Sequence, residues 1–192
     1  MADRRSTLKL MMEAIHHYDG YVAQSTGDGI FALFGRAAEA VELIRAGIAA
    51  CDQTGTHLTD VYQYTVLAEA QALNGAIDDA LASAEKAAEI NPQELTDLSD
   101  AFRVRGEPRL RKGLTEAAET DFREAVALSQ KMSAKLLELR ASTSLARLLR
   151  NTNRREEARK MFAEVYGWFT QGADTADLKD AKALLDELSV GS

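Results

Sequence analysis

Apolar and small residues recur along this chain in helical spacing, and the spacing itself recurs. Ala40, Ala80, Ala118 and Ala158 stand 40, 38 and 40 residues apart. Five residues before each of these alanines comes a turn-forming residue: Gly35, Gly75, Gly113 and Asn153. Glycine lacks Cβ and enters a left-handed turn without strain, and asparagine is the next best choice. Four residues after each alanine comes Ile44, Ala84, Phe122 or Phe162, and three further on comes Gly47, Ala87, Ala125 or Val165. Those offsets share one helix face. Twelve residues before the last three alanines stand Ala68, Gly106 and Ala146, small enough to let a preceding helix approach closely.

The pattern predicts helix pairs at 58–74 with 77–91, 95–112 with 115–131, and 135–151 with 154–170. A half repeat at 37–53 precedes them. A last helix over about 175–188 follows, with Leu178, Ala181, Leu184, Leu185 and Leu188 as its apolar stripe and Asp174-Thr175 as its start. A lone helix pair cannot bury its apolar face, so such pairs stack. Pro108 conflicts with this pattern: inside a helix it should kink or end it, at a cost of about 3 kcal/mol.

The small residue, the turn, the A-x3-F spacing and the closing Pro92 resemble the tetratricopeptide repeat. The expected fold is all-α: a tetratricopeptide-repeat superhelix of about three and a half helix pairs over residues 36–192, with a C-terminal capping helix. Spacings of 38–40 exceed the usual length of that repeat and approach the HEAT type, which is the alternative fold.

Residues 8–35 carry a second resemblance. Ser25-Thr26-Gly27-Asp28-Gly29, then Ile30-Phe31-Ala32-Leu33-Phe34-Gly35, resembles the central hairpin of the class III adenylate/guanylate cyclase catalytic domain. Residues 36–189 resemble the tetratricopeptide tail of large bacterial proteins that begin with such a cyclase and continue through an NTPase. Val165-Tyr166-Gly167-Trp168-Phe169-Thr170 is very like the end of that tail. The resemblance implies a role in cyclase-linked signal transduction and makes residues 1–35 a remnant of the catalytic domain. It matches Asp28 to one of two metal-binding aspartates. The other belongs to an earlier strand that this sequence is not expected to contain, so Asp28 is vestigial and no functional metal site is expected. No G-x-x-x-x-G-K-[ST] loop is present. An alternative is cyclase activity completed by another chain, and a third is a non-functional fragment of a longer protein.

Composition narrows the functions. The net charge of -7 argues against nucleic acid as a general partner. Residues 103–160 nevertheless hold 15 Lys/Arg against 8 Asp/Glu. One cysteine, Cys51, precludes an intramolecular disulfide, and no stretch has the length and apolarity of a bilayer span, so a cytoplasmic compartment is expected. His16, His17 and Asp19 lack a second cluster to make a metal site, and His57 falls in an inter-repeat turn. No nucleophile signature occurs. No catalytic residue, cofactor or enzymatic activity is expected.

The polar set with binding potential is Arg103, Arg111, Arg140, Arg147 and Arg150. All five fall on first helices, which line the concave groove of such a superhelix. A guanidinium fork grips carboxylates bidentately, so the expected partner is an acidic peptide or the acidic face of a protein. The competing reading pairs these arginines with Glu107, Glu138 and Asp100. Trp168 and Phe169 are expected to lie beneath the last helix, and Ile30 to Phe34 to cover the first end of the stack. That end also leaves a second copy of the chain as a candidate partner.

Overall fold

A computed structural model describes residues 21–26, 29–33, 37–55, 60–91, 93, 95–171 and 175–190, with the backbone alone in the first two segments. Two strands, β1 (Tyr21–Thr26) and β2 (Gly29–Leu33), pair antiparallel from Tyr21↔Leu33 to Thr26↔Gly29. Eight helices follow among the described residues: α1 (Ala37–Thr54), α2 (Asp60–Leu73), α3 (Ile77–Ile90), α4 (Leu95–Arg111), α5 (Thr115–Lys131), α6 (Lys135–Asn151), α7 (Arg155–Gly167) and α8 (Ala176–Ser189). The strands at 21–26 and 29–33 are consistent with the poor helix propensity of the neighbouring glycines. Asp28, His16, His17, Asp19, His57 and Pro92 lie outside the described residues.

Each helix packs on the next, and α2, α4, α6 and α8 also touch in a row. Of the second helices, α5 and α7 are bridged by Arg123 to Glu157 at 3.0 Å. Closer contact among the first helices of the pairs puts them on the inner, concave side of the stack.

The turns share one geometry. Gly75, Gly113 and Asn153 have φ of 80°, 77° and 62°. The residue after each sends its N–H back five positions: Ala76 to Gln71, Leu114 to Arg109 and Arg154 to Leu149, at 2.8–2.9 Å. That bond closes a helix C-terminus of the Schellman kind. The same residues Ala76, Leu114 and Arg154 then accept the N–H of Ala80, Ala118 and Ala158, opening the next helix. One turn bends the chain between two helices with both ends satisfied. The link between α5 and α6 repeats it with Ser133 at φ 57°, Ala134 N–H on Ser129 O, and Glu138 in the place of the alanine. Positive-φ residues thus fall at 55, 75, 113, 133 and 153. A helix and its turn take 20 residues, and the 40-residue period is two of these units.

The predicted packing positions are buried: Ala40, Ala80, Ala118 and Ala158 with Ala68, Gly106 and Ala146. Phe122, Leu139, Leu148, Phe162, Leu184 and Leu188 belong to one core spanning α5 to α8. The N-terminal half is packed by smaller side chains, such as Ala68, Ala84 and Val104. Pro108 does not end α4, which runs to Arg111. The missing N–H leaves one carbonyl of the preceding turn without its helical donor, but Lys112 N–H still reaches Pro108 O at 3.0 Å and the ring is buried.

Trp168 corrects an expectation: it is 59% exposed, because α7 stops at Gly167 and Trp168 caps its end. Phe169 takes the inward role beside the core that holds Leu178, with Leu185 also against it. The two rings meet edge to face at 5.2 Å, with Lys135 Nζ 5.9 Å from the Trp168 ring.

Candidate interaction face

The inner face is built by α2, α4 and α6. Near its centre, Arg103 donates from Nε to Asp100 at 2.7 Å and from an Nη to Glu69 at 2.6 Å, so one guanidinium joins α4 to α2. Farther along α4, Glu107 accepts from Ser144 Oγ of α6 at 2.7 Å. A cleft of about 50 Å³ opens between Tyr62, Thr96, Asp97, Asp100, Leu137 and Arg140.

The charges here interact. Burial would raise the Asp100 carboxyl, but Arg103, with Arg140 behind it, outweighs burial and holds it below its ordinary value. Glu69 differs. Burial and the neighbouring Asp100 leave its carboxyl above the ordinary value despite Arg103. Burial also raises the Tyr62 phenol, and the carboxylates of Glu69, Asp100 and Asp97 add to it. Two carboxylates compete for one guanidinium, and Asp100 is the one that keeps its charge most easily.

The structure places all five arginines on first helices, and four of them already hold carboxylates. Arg103 has Asp100 and Glu69. The other three reach from α6 to α8. Arg140 grips Asp177 with two bonds, at 3.1 and 2.9 Å. Arg147 meets Asp180 at 2.6 Å, and Arg150 meets Glu187. Arg111 gives one Nη to the Ala72 carbonyl at 3.0 Å, and no ion pair of Arg111 occurs among the described residues. The five therefore do not form one open basic strip. The competing pairings are also corrected in part: Asp100 does hold Arg103, but Glu138 takes Lys135 and Gln130.

Sequence reading missed the acidic face of α8. Its carboxylates are 33–37 residues from the arginines they hold, so they pair across successive first helices and not along one helix. Arg155 was also missed. Its guanidinium sits on the last turn of α8, donating to the carbonyls of Glu187, Leu188 and Val190. That end carries the negative pole of the helix. A second polar cluster lies between α4 and α5. Asp121, 2% exposed, takes Arg105 at 2.6 Å and Arg109 at 2.9 Å. Cys51 on α1 accepts from Gln63 Nε2 at 3.4 Å. Among the described residues no group of three or more His, Cys, Asp or Glu side chains could hold a metal ion, and no helix is long and apolar enough to cross a membrane.

Solved structures share this architecture. Nearly identical TPR-like repeats from Podosopora anserina, of a protein assigned as a kinesin light chain, superpose with a TM-score of 0.61 at 19% identity, over 98% of this chain and 87% of that one. A single-substitution variant of those repeats gives a TM-score of 0.62 with the same identity and coverage. The fold is TPR-like. BtubC (BKLC) from P. vanneervenii superposes on 79% of this chain with a TM-score of 0.58 at 20% identity, and 62% of its own length is covered. At these identities the likeness of the TPR-like stack to its neighbours is one of fold. No protein-family model matches the chain, and no curated protein matches it.

Proposed function

We propose that this chain is a non-catalytic interaction module of cyclase-linked signalling, working in the cytoplasm, whose inner face binds an acidic segment of a partner protein. The observation that carries the reading is the unequal state of the arginines on that face. Arg111 spends one Nη on the Ala72 carbonyl and keeps the rest of its fork for a carboxylate. Arg103, Arg140, Arg147 and Arg150 engage a partner only by exchanging an internal carboxylate for an external one. Arg111 is thus the first contact, and the face toward α8 is the costly one.

The test is capture of partners from source-cell extract on the immobilised full chain, quantified by mass spectrometry. Arg111→Glu should remove the acidic partners and Arg111→Lys should keep most of them. Capture indifferent to Arg111→Glu rejects the acidic-partner reading. Charge reversal at Arg147 and Arg150 is a poorer test, because it also breaks the hold on α8.

A second reading has one supporting feature, the ladder between Tyr21–Thr26 and Gly29–Leu33, where the sequence resembles the cyclase hairpin. In that reading residues 1–35 are a catalytic remnant that another chain completes, with Asp28 as a metal aspartate. Metal-dependent formation of a cyclic nucleotide by the chain with a complementing cyclase fragment tests it.

A further inference from the structure

Asp100, Arg103, Glu107 and Arg111 of α4 follow one another at intervals of 3, 4 and 4 residues, so they share one helix face and alternate in sign along it. Their charges are unequally engaged. Arg103 holds two carboxylates. Asp100 gives one oxygen to Arg103 at 2.7 Å, and no hydrogen bond to its Oδ2 occurs among the described residues. Glu107 accepts from the neutral Ser144 hydroxyl, and no ion pair of Glu107 occurs among the described residues. Arg111 ends the row with one Nη on the Ala72 carbonyl. The open charge of the row is therefore negative at Asp100 and Glu107 and positive at Arg111.

The cleft at the Asp100 end suits a cation. Asp97 and Asp100 of α4 form one wall, and Tyr62 of α2 and Leu137 of α6 supply the others. The charges that act on the Tyr62 phenol are the carboxylates of Glu69, Asp100 and Asp97. Arg140 also lines the cleft, but its guanidinium is spent on Asp177 in two bonds. A tyrosine ring favours a cation at its face, and Leu137 offers apolar surface to the aliphatic stem behind one. A volume of about 50 Å³ admits a small head group, on the order of three to five waters in size. We propose that this cleft holds the ammonium or guanidinium of a lysine or arginine in the partner segment, at the far end of the α4 row from the acid held by Arg111.

The inference rests on the inner face being the one that binds the partner, and it makes the bound segment mixed in charge. A uniformly acidic segment would lay like charge against Asp100 and Glu107, which disfavours it. Asp100 and Arg111 are 11 residues apart on α4, about 16 Å along the helix. An extended segment covers that length in about five residues. The partner thus carries a basic and an acidic residue about five positions apart, and the row on α4 fixes which way the segment lies.

Selection from a random peptide library displayed on phage and panned on the immobilised full chain tests this. Enriched peptides should carry Lys or Arg about five residues from an Asp or Glu, at least fivefold above the input library. The best of them, made synthetically with a fluorescent label, should lose at least tenfold in affinity when its basic residue becomes glutamine. That loss should shrink below threefold on Asp100→Asn. Tyr62→Leu, on a different wall of the cleft, should shrink it too, and both variants should still lose binding when Arg111→Glu is added. Enriched peptides that are acidic with no basic residue at that spacing would overturn the proposal and leave the acidic-partner reading standing. So would a tenfold loss that neither Asp100→Asn nor Tyr62→Leu diminishes. Selection without any enrichment of acidic residues would overturn both.

Discussion

A Cβ built on Gly106 would stand 2.3 Å from Cε1 of Phe122 and 2.7 Å from Cδ1. The Phe122 ring therefore lies against the backbone of α4, and it is fully buried. Mid-helix glycine is usually a cost of about 1 kcal/mol relative to alanine. Here the glycine makes room for a fully buried aromatic ring.

Gly106→Ala should therefore destabilise the protein despite its better helix propensity, by about 1–2 kcal/mol net, since overpacking costs about 1–3 kcal/mol. Phe122→Leu on the same chain should recover part of the loss. In urea unfolding, the two changes together should cost less than their separate costs combined. Strict additivity would mean that ring and glycine do not meet.

Asp121 is buried beneath Arg105 and Arg109, and Arg109 also reaches Glu85 at 3.5 Å. Asp121→Leu would leave two half-buried guanidinium groups without their shared acceptor. The expected loss is about 3 kcal/mol, as for other broken buried pairs. Adding Arg105→Met and Arg109→Met should restore most of it, because the cost lies in the unpaired charge. Urea midpoints of the single and triple variants check this.

These cases show which features the sequence made legible. The alanines, the glycine turns and the small contact residues sit where close packing and left-handed backbone demand them, so spacing alone located them. Ser133 adopts the same turn as Gly113 and Asn153, yet serine carries no signal for it. Only the 20-residue interval on either side marks the position. The arginines were readable as a set on the first helices. Their partners were not, because Arg140, Arg147 and Arg150 reach across to α8 by way of the superhelix. Trp168 was misplaced for a similar reason: whether it or Phe169 turns inward depends on where α7 stops.

The shared guanidinium of Arg103 predicts opposite pH behaviour at its two carboxylates. Asp100 lies below its ordinary value, so it stabilises the fold above the unfolded value, about 3.9, and that gain is lost as pH falls through the folded value. Glu69 lies above its ordinary value. Its favourable contribution is complete below the unfolded value, about 4.3, and is lost as pH rises through the folded one. At pH 7, Asp100→Asn should lower the urea midpoint more than Glu69→Gln. The difference should close as pH approaches 3. A larger effect of Glu69→Gln at pH 7 would contradict this assignment.

Helix α8 is held on α6 by charge as well as by its buried stripe of Leu178, Ala181, Leu184 and Leu188. The three arginine contacts are not equal. Arg140 makes a bidentate contact with Asp177 and is the least exposed of the three. Exposed pairs contribute about 0.2–1 kcal/mol each, so Arg140→Ala should lie near the upper end of that range and Arg147→Ala near the lower. Reversing Arg140, Arg147 and Arg150 together to Glu places like charges against Asp177, Asp180 and Glu187. Amide exchange over 176–189 should then accelerate well before that of α4 and α5, and more so at low salt, where charges are least screened. Converting the three α8 carboxylates to arginine in the same chain should slow exchange again. Failure of that swap would mean that the apolar stripe alone determines where α8 docks.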